Sequence, residues 1–67
     1  MMNVKINGQE ETVESGTTMG EVLRVKGINP NVVACEVNLK IVRRAQLGET
    51  VLRDGDEVEI IQMVGGG

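Results

Sequence analysis

The 67-residue chain contains no histidine, phenylalanine, tyrosine or tryptophan, and it has one cysteine and one proline. Without histidine, the most common general base at neutral pH and the most common metal ligand are both missing. Without aromatic residues, the core must be built from Val, Ile, Leu and Met. So short a chain leaves no room for a deep substrate pocket, which usually needs ~300 Å³ or more. We therefore expect no enclosed active site, no metal site and no bound cofactor.

Basic residues are also scarce, because seven Lys and Arg stand against ten Asp and Glu, for a net charge of -3. Apart from the adjacent pair Arg43-Arg44 they are scattered, whereas nucleic-acid binding needs clustered positive charge. One cysteine cannot form an internal disulfide, which fits a reducing cytosol. No apolar run approaches the ~20 residues that span a membrane, and the N-terminus has no apolar segment typical of a signal peptide. We expect a cytoplasmic protein that contacts other proteins.

The first thirty residues predict a β-hairpin followed by one helix. "MNVKIN" alternates apolar and polar residues, as a half-buried strand does. Asn7-Gly8 then favours a type I′ turn into a second strand, "QEETVE". Thr18 and Glu21 have the spacing of a capping box at the start of a helix, and Gly27 is placed for a left-handed cap at its end.

The second half predicts three more strands. "NVVACEV" is the first, and after a turn at "NLK" the short run "IVR" is the second. "RAQLGET" indicates irregular structure or a tight helical turn, with Leu47 as an apolar plug. Asp54-Gly55 is a further turn, and it leads into a last strand, "EVEIIQMV". Beyond Ile60 both faces of that strand are mostly apolar, with Gln62 as the exception.

The resulting order is β-β-α-β-β-β. A helix between two hairpins is buried only if it packs across one face of a shared sheet. The first and last strands pair most simply in parallel at the centre of that sheet, with the helix in the crossover. This α+β arrangement is the β-grasp fold of ubiquitin-like domains. We expect a mixed sheet of four to five strands in one domain, residues 1–64, followed by a flexible glycine tail, residues 65–67.

Few side chains offer chemistry. Cys35 is the only conventional nucleophile, but it lies mid-strand on an apolar face without a neighbouring positive charge, which indicates a buried, inert thiol. Asp54 and Asp56 flank a turn and lack the ligand count of a calcium site. The distinctive group that is left is a terminal carboxylate on Gly67, at the end of a thread that could enter a narrow channel. Ordering that thread costs roughly 1–2 kcal/mol per residue, which a partner would have to offset.

The stretches "VNLKIV" and "LRDGDEVEIIQMVGGG" resemble the ThiS family, the sulfur-carrier proteins of thiamine thiazole biosynthesis. The resemblance implies a carrier that is a co-substrate of partner enzymes and not itself an enzyme. An E1-like adenylyltransferase (ThiF-like) would use ATP to adenylate the Gly67 carboxylate, which then becomes a thiocarboxylate. A donor such as a cysteine desulfurase would supply the sulfur, and a thiazole synthase (ThiG-like) would receive it. Gly65 and Gly66 would occupy the partner's channel, and the free carrier would be a monomer.

Two candidate docking sites accompany the tail. If Val58 and Ile60 face the helix, Ile61 and Met63 face away from it. They would form either an exposed apolar docking patch or contacts with neighbouring strand side chains. Family members often read I-V-P-R where this chain has an arginine in place of the proline. Arg43-Arg44 is therefore either a docking site or a solvated rim.

Two alternatives to a thiamine carrier remain open at this point. One is a MoaD-like or other β-grasp sulfur carrier, for molybdopterin or cysteine synthesis, with the same tail chemistry. The other is a non-carrier β-grasp binding module whose tail has no role. A thiazole synthase gene or a molybdopterin synthase gene next door would separate the two kinds of carrier.

Overall fold

The computed structural model describes residues 1–63 as a five-stranded sheet with one helix across it. The elements are β1 (Met2–Ile6), β2 (Gln9–Val13), α1 (Met19–Lys26), β3 (Val33–Val37), β4 (Lys40–Val42) and β5 (Glu57–Gln62). The sheet order is β2-β1-β5-β3-β4. β1 and β5 run parallel, and every other neighbouring pair is antiparallel. The predicted β-grasp order and the parallel central pair are confirmed. The end of the predicted domain at 64 and the predicted tail, 65–67, lie outside the described residues.

Both hairpins turn through left-handed backbone at two successive residues. Asn7 and Gly8 have φ values of 51° and 83°, which confirms the predicted type I′ turn. In the second hairpin Asn38 and Leu39 have φ values of 52° and 70°. Because the turn takes only these two residues, β4 already starts at Lys40, one residue earlier than the sequence indicated, and ends one residue earlier.

The helix α1 has the predicted signals at both ends. The Thr18 side chain accepts a hydrogen bond from the Glu21 N–H, and the Glu21 carboxylate accepts one from the Thr18 N–H, so the capping box is complete. At the other end Gly27 is left-handed, with φ 70°. The Ile28 N–H then donates to the Leu23 carbonyl oxygen at 2.9 Å, as in the Schellman motif.

The third strand begins two residues later than predicted. A 3₁₀ turn covers Pro30–Val32, and the Asn29 side chain caps it by accepting from the Asn31 N–H. This local hydrogen bond and the fixed φ of proline hold the segment out of the sheet. The prediction that "NVVACEV" is strand throughout was therefore wrong for its first two residues.

The core lies between α1 and one face of the sheet. Its buried members are Val4, Ile6, Met19, Val22, Leu23, Cys35, Leu47, Leu52 and Val58. The predicted plug, Leu47, follows a 3₁₀ turn at Arg44–Gln46 and is buried. Its carbonyl oxygen accepts from the Gly20 N–H at 2.9 Å, and a Cβ at Gly20 would lie 3.2 Å from that oxygen. This close approach explains a glycine in the first turn of the helix. Leu52 is a further core residue, which was not predicted from the sequence.

No helix in the part of the chain that the structure describes is long and apolar enough to cross a membrane. The last described strand, β5, lies in the middle of the sheet. The candidate docking residues Ile61 and Met63 lie at the end of this strand.

Candidate functional site

The central strand stays hydrogen-bonded to the end of the described chain. Gln62 still pairs with Val33 of β3, and the Met63 N–H donates to the Val32 carbonyl oxygen at 2.9 Å. The sheet thus holds the chain in place as far as Met63. The predicted functional residues Gly65, Gly66 and Gly67 lie outside the described residues.

The side chains of β5 divide between two faces. Val58 is buried and Ile60 is half-buried on the side of α1. On the opposite face Ile61 is 45% exposed and Met63 is 55% exposed. Of the two expectations for these residues, the exposed apolar surface is confirmed. Their role in docking remains a prediction.

Two further residues extend this surface, and neither was predicted from the sequence as a docking residue. Ala34 is the direct partner of Ile61 across the β3–β5 ladder. Ile41 of β4 is 72% exposed. It pairs with Glu36 of β3 and therefore shares the face of Ala34. Ala34, Ile41 and Met63 line one surface depression. We call Ala34, Ile41, Ile61 and Met63 the outer-face patch. The position of Ile41 in the patch follows from the register between β3 and β4, and the sequence of so short a strand does not determine that register.

Acidic side chains border the outer-face patch. Glu36 and Glu59 lie directly opposite each other across β3 and β5, and Glu57 follows on the same face as Glu59. Like charges in directly opposed positions destabilise a sheet. A partner with a basic residue at this border would relieve that repulsion.

The two predicted docking arginines have different surroundings. The Arg44 guanidinium donates to the Asn31 side-chain oxygen at 2.6 Å and lines the same depression as Met63. Arg43 is exposed and does not line that depression. The structure therefore places Arg44 beside Met63 of the outer-face patch, and a docking role for either arginine remains a prediction.

Cys35 is buried on the inner face of β3, with 3% of its surface exposed. Burial raises the pKa of the Cys35 thiol, because the interior disfavours the thiolate. The predicted burial of Cys35 is therefore confirmed. A neutral, inaccessible thiol is a poor nucleophile. Among residues 1–63 no group of three or more Cys, Asp or Glu side chains is placed to hold a metal ion.

The fold has close counterparts among solved proteins. The structure matches the crystal structure of the thiamine biosynthesis protein ThiS from Geobacter metallireducens with a TM-score of 0.85 and 30% sequence identity, covering 98% of this chain and 100% of that one. The molecule is thus a ubiquitin-like β-grasp protein. The ThiS family model matches residues 3–67. The chain belongs to the ThiS family.

Two relatives with assigned functions are similar over almost the whole chain. The sulfur carrier protein ThiS of Escherichia coli is 29% identical over 66 residues, which are 98% of this chain and 100% of that protein. A thiazole synthase of Magnetococcus marinus is 36% identical over 66 residues, again 98% of this chain but 20% of that protein. The chain therefore spans about a fifth of the length of that thiazole synthase.

Proposed function

We propose that this protein carries sulfur for thiamine thiazole synthesis on the carboxylate of Gly67, as a co-substrate of other enzymes and without catalysing a reaction itself. The observation that carries the proposal is the ThiS family match over residues 3–67, which includes the two final glycines. The fold supports it, because the chain stays hydrogen-bonded to its neighbour as far as Met63, only a few residues before the final glycines.

The chemistry takes place in two steps. A Gly67 carboxylate oxygen attacks the α-phosphorus of ATP, and pyrophosphate leaves, which forms an acyl-adenylate. A sulfide equivalent, HS⁻, then attacks the acyl carbon, and AMP and a proton leave, which forms the thiocarboxylate. A ThiF-like adenylyltransferase would catalyse the activation. A cysteine desulfurase would supply the sulfur as a protein persulfide, and a thiol reductant would release it at the oxidation level of sulfide while a disulfide forms. ATP is consumed by the partner, and no cofactor is bound by the carrier.

The glycines before the reacting carbon suit this chemistry. Gly65 and Gly66 have no side chains, so an extended thread of them fits a narrow channel and leaves the carbonyl carbon of Gly67 open to attack. The freedom of glycine makes the ordering of the thread costly. Contacts made by the folded domain must therefore contribute to binding.

The outer-face patch is the docking surface we propose for those contacts. Ile61 and Met63 are exposed and precede the tail by only a few residues. A methionine side chain adapts to different partner surfaces, which suits a carrier that visits an activating enzyme and then a sulfur acceptor. Arg44 at the patch edge and the opposed Glu36 and Glu59 give the surface charges of both signs.

Thiazole synthase is the sulfur acceptor we propose. The support is the Magnetococcus marinus thiazole synthase, one fifth of which is similar to this whole chain. A single polypeptide that joins a segment similar to this chain to the rest of a thiazole synthase suggests that the carrier and the synthase take part in the same reaction.

Reconstitution tests the proposed function. The chain is incubated with ATP, the ThiF-like enzyme of the same organism and a sulfide source, and then with either thiazole synthase or molybdopterin synthase. We expect adenylation, thiocarboxylate formation and sulfur transfer to thiazole synthase alone. Transfer to molybdopterin synthase instead would assign the carrier to the other pathway, and a chain that is never adenylated would contradict the carrier function.

A further inference from the structure

The parallel pairing between β1 and β5 ends before β5 does. The Lys5 and Asn7 N–H groups donate to the Asp56 and Val58 carbonyl oxygens, each at 2.9 Å. At Asn7 the chain turns away into the hairpin. The backbone of β5 continues for several more residues, with β3 as its neighbour on the other side only.

The side chain of Asn7 extends the ladder by one more step. Its amide oxygen accepts from the Ile60 N–H at 2.8 Å, and its amide nitrogen donates to the Ile60 carbonyl oxygen at 3.3 Å. The side chain thus replaces the backbone that β1 no longer provides. Beyond Ile60 this replacement ends.

The next residue to face that side is Gln62. The carbonyl oxygens of Asp56 and Val58 and both backbone groups of Ile60 point toward β1, whereas the Met63 N–H bonds to Val32, on the β3 side of the strand. Since strand hydrogen bonds alternate in direction, the Gln62 N–H and C=O point to the vacated side. Within residues 1–63 neither group has a hydrogen-bond partner on that side. We call these two groups the free edge of β5.

A shallow groove adjoins the free edge. It is lined in part by the apolar side chains of Ile28, Val33 and Ile60. Asn7 and Asn29 form its polar margin, and no charged residue lines it, although a quarter of the chain is charged. The groove therefore suits an uncharged, partly apolar segment of a partner.

We propose that the free edge of β5 binds an extended segment of the adenylating enzyme, which adds beside Gln62 in the place that β1 vacates. An unpaired N–H and C=O at a strand edge are satisfied best by another extended backbone. The groove would receive one apolar side chain of that segment. This inference rests on the proposed function. It identifies the contact by which the adenylating enzyme would hold the folded domain.

The position explains why such a contact would matter. The five residues after Gln62 span at most roughly 18 Å when extended. A partner that receives the Gly67 carboxylate must therefore have its channel entrance close to this edge. Backbone pairing there would fix the depth to which the tail is inserted, which the apolar outer-face patch alone would not define.

The variant Gln62→Pro tests the proposal, because it removes the N–H that the free domain does not use. Gln62→Ala is the matched control, since it shortens the side chain and keeps the N–H. We expect Gln62→Pro to lower kcat/KM for adenylation at least about tenfold, with Gln62→Ala within about twofold of wild type and the melting midpoints of all three proteins similar. Equal adenylation of the two variants would overturn the inference and leave the carrier function intact.

Amide hydrogen exchange on the wild-type protein gives a second test that needs no variant. In the free protein we expect the Gln62 amide to exchange quickly and the Met63 amide, bonded to Val32, to exchange more slowly. With the adenylating enzyme bound, Gln62 exchange should slow at least about tenfold. Unchanged exchange at Gln62 in a saturated complex would overturn the proposal even if Gln62→Pro failed to fold. A wild-type chain that the enzyme never adenylates would instead overturn the proposed function, and this inference with it.

Discussion

Arg43 occupies a backbone position that suits proline. Its φ and ψ are -71° and 152°, within the range that the pyrrolidine ring imposes. No hydrogen bond from the Arg43 N–H is made within residues 1–63, and the preceding residue, Val42, is in extended strand, as a residue before proline prefers. A proline at this position would therefore have a local physical basis, and with arginine there β4 ends at Val42.

We expect Arg43→Pro to stabilise the protein by about 0.4–1 kcal/mol, because proline restricts the unfolded chain and fits the folded one. For a domain of this size the melting midpoint should rise by about 2–8 °C. Arg43→Ala is the control for loss of the charge and should leave the midpoint nearly unchanged. A fall in the midpoint of Arg43→Pro would show that the N–H has an essential partner.

Cys35 should be dispensable for sulfur loading. Cys35→Ala is expected to cost about 1 kcal/mol in stability through lost packing, while the rate of thiocarboxylate formation stays at the wild-type value. Burial raises the folded-state pKa of this thiol above its unfolded value, so the unfolded state loses its proton first as pH rises. Stability should therefore fall above about pH 8.5 through this group, and Cys35→Ala should lack that component. Loss of loading in folded Cys35→Ala would contradict the assignment.

The outer-face patch is a property of three neighbouring strands, and its test belongs at that scale. We expect the double variant Ile61→Asp with Met63→Asp to keep its fold, since both side chains are exposed, and to lose at least about tenfold in kcat/KM for adenylation because two charges would be desolvated at the interface. Val25→Glu adds a carboxylate at an exposed apolar position on α1 and is the control. Wild-type turnover by the folded double variant would exclude the patch as a docking surface.

The elements that the sequence predicted most closely are those defined by local chemistry. Asn7-Gly8 and the capping pair of Thr18 and Glu21 each act within a few residues, so neighbouring sequence determines them. The start of β3 was misplaced because the cap from Asn29 competes with the sheet in a way that apolar content does not show.

Other features depend on contacts between distant parts of the chain. Leu52 is buried because its segment packs beside α1, where its N–H donates to the Thr17 carbonyl oxygen. Ile41 joins the patch through the register of β4 on β3. Neither relation has a signal in the adjacent residues, so the sequence predicted Ile61 and Met63 but not the full surface. The free edge at Gln62 likewise follows from the point at which β1 turns away.

At the scale of the whole molecule, the folded core and the proposed reactive group are separate. Among residues 1–63 every buried apolar side chain lies between Val4 and Val58. We therefore expect deletion of Gly67 to leave the melting midpoint within about 1 °C of wild type. The same deletion should abolish adenylation, because Gly66 would then place the carboxylate one residue short of the nucleotide. An added valine after Gly67 should also block adenylation, by crowding the reacting carbon. Normal adenylation of either variant would contradict the role of Gly67.

The most direct test of the central claim is fragmentation mass spectrometry of the intact chain after reaction with ATP, the ThiF-like enzyme and sulfide. We expect one oxygen to be replaced by sulfur and the change to map to Gly67, with the mass of every fragment that ends before Gly67 unaltered. The reaction without ATP is the control and should leave the chain unmodified. Sulfur located on Cys35, or a Gly67 carboxylate that remains unchanged in the presence of active enzyme, would contradict the proposal that Gly67 carries the sulfur.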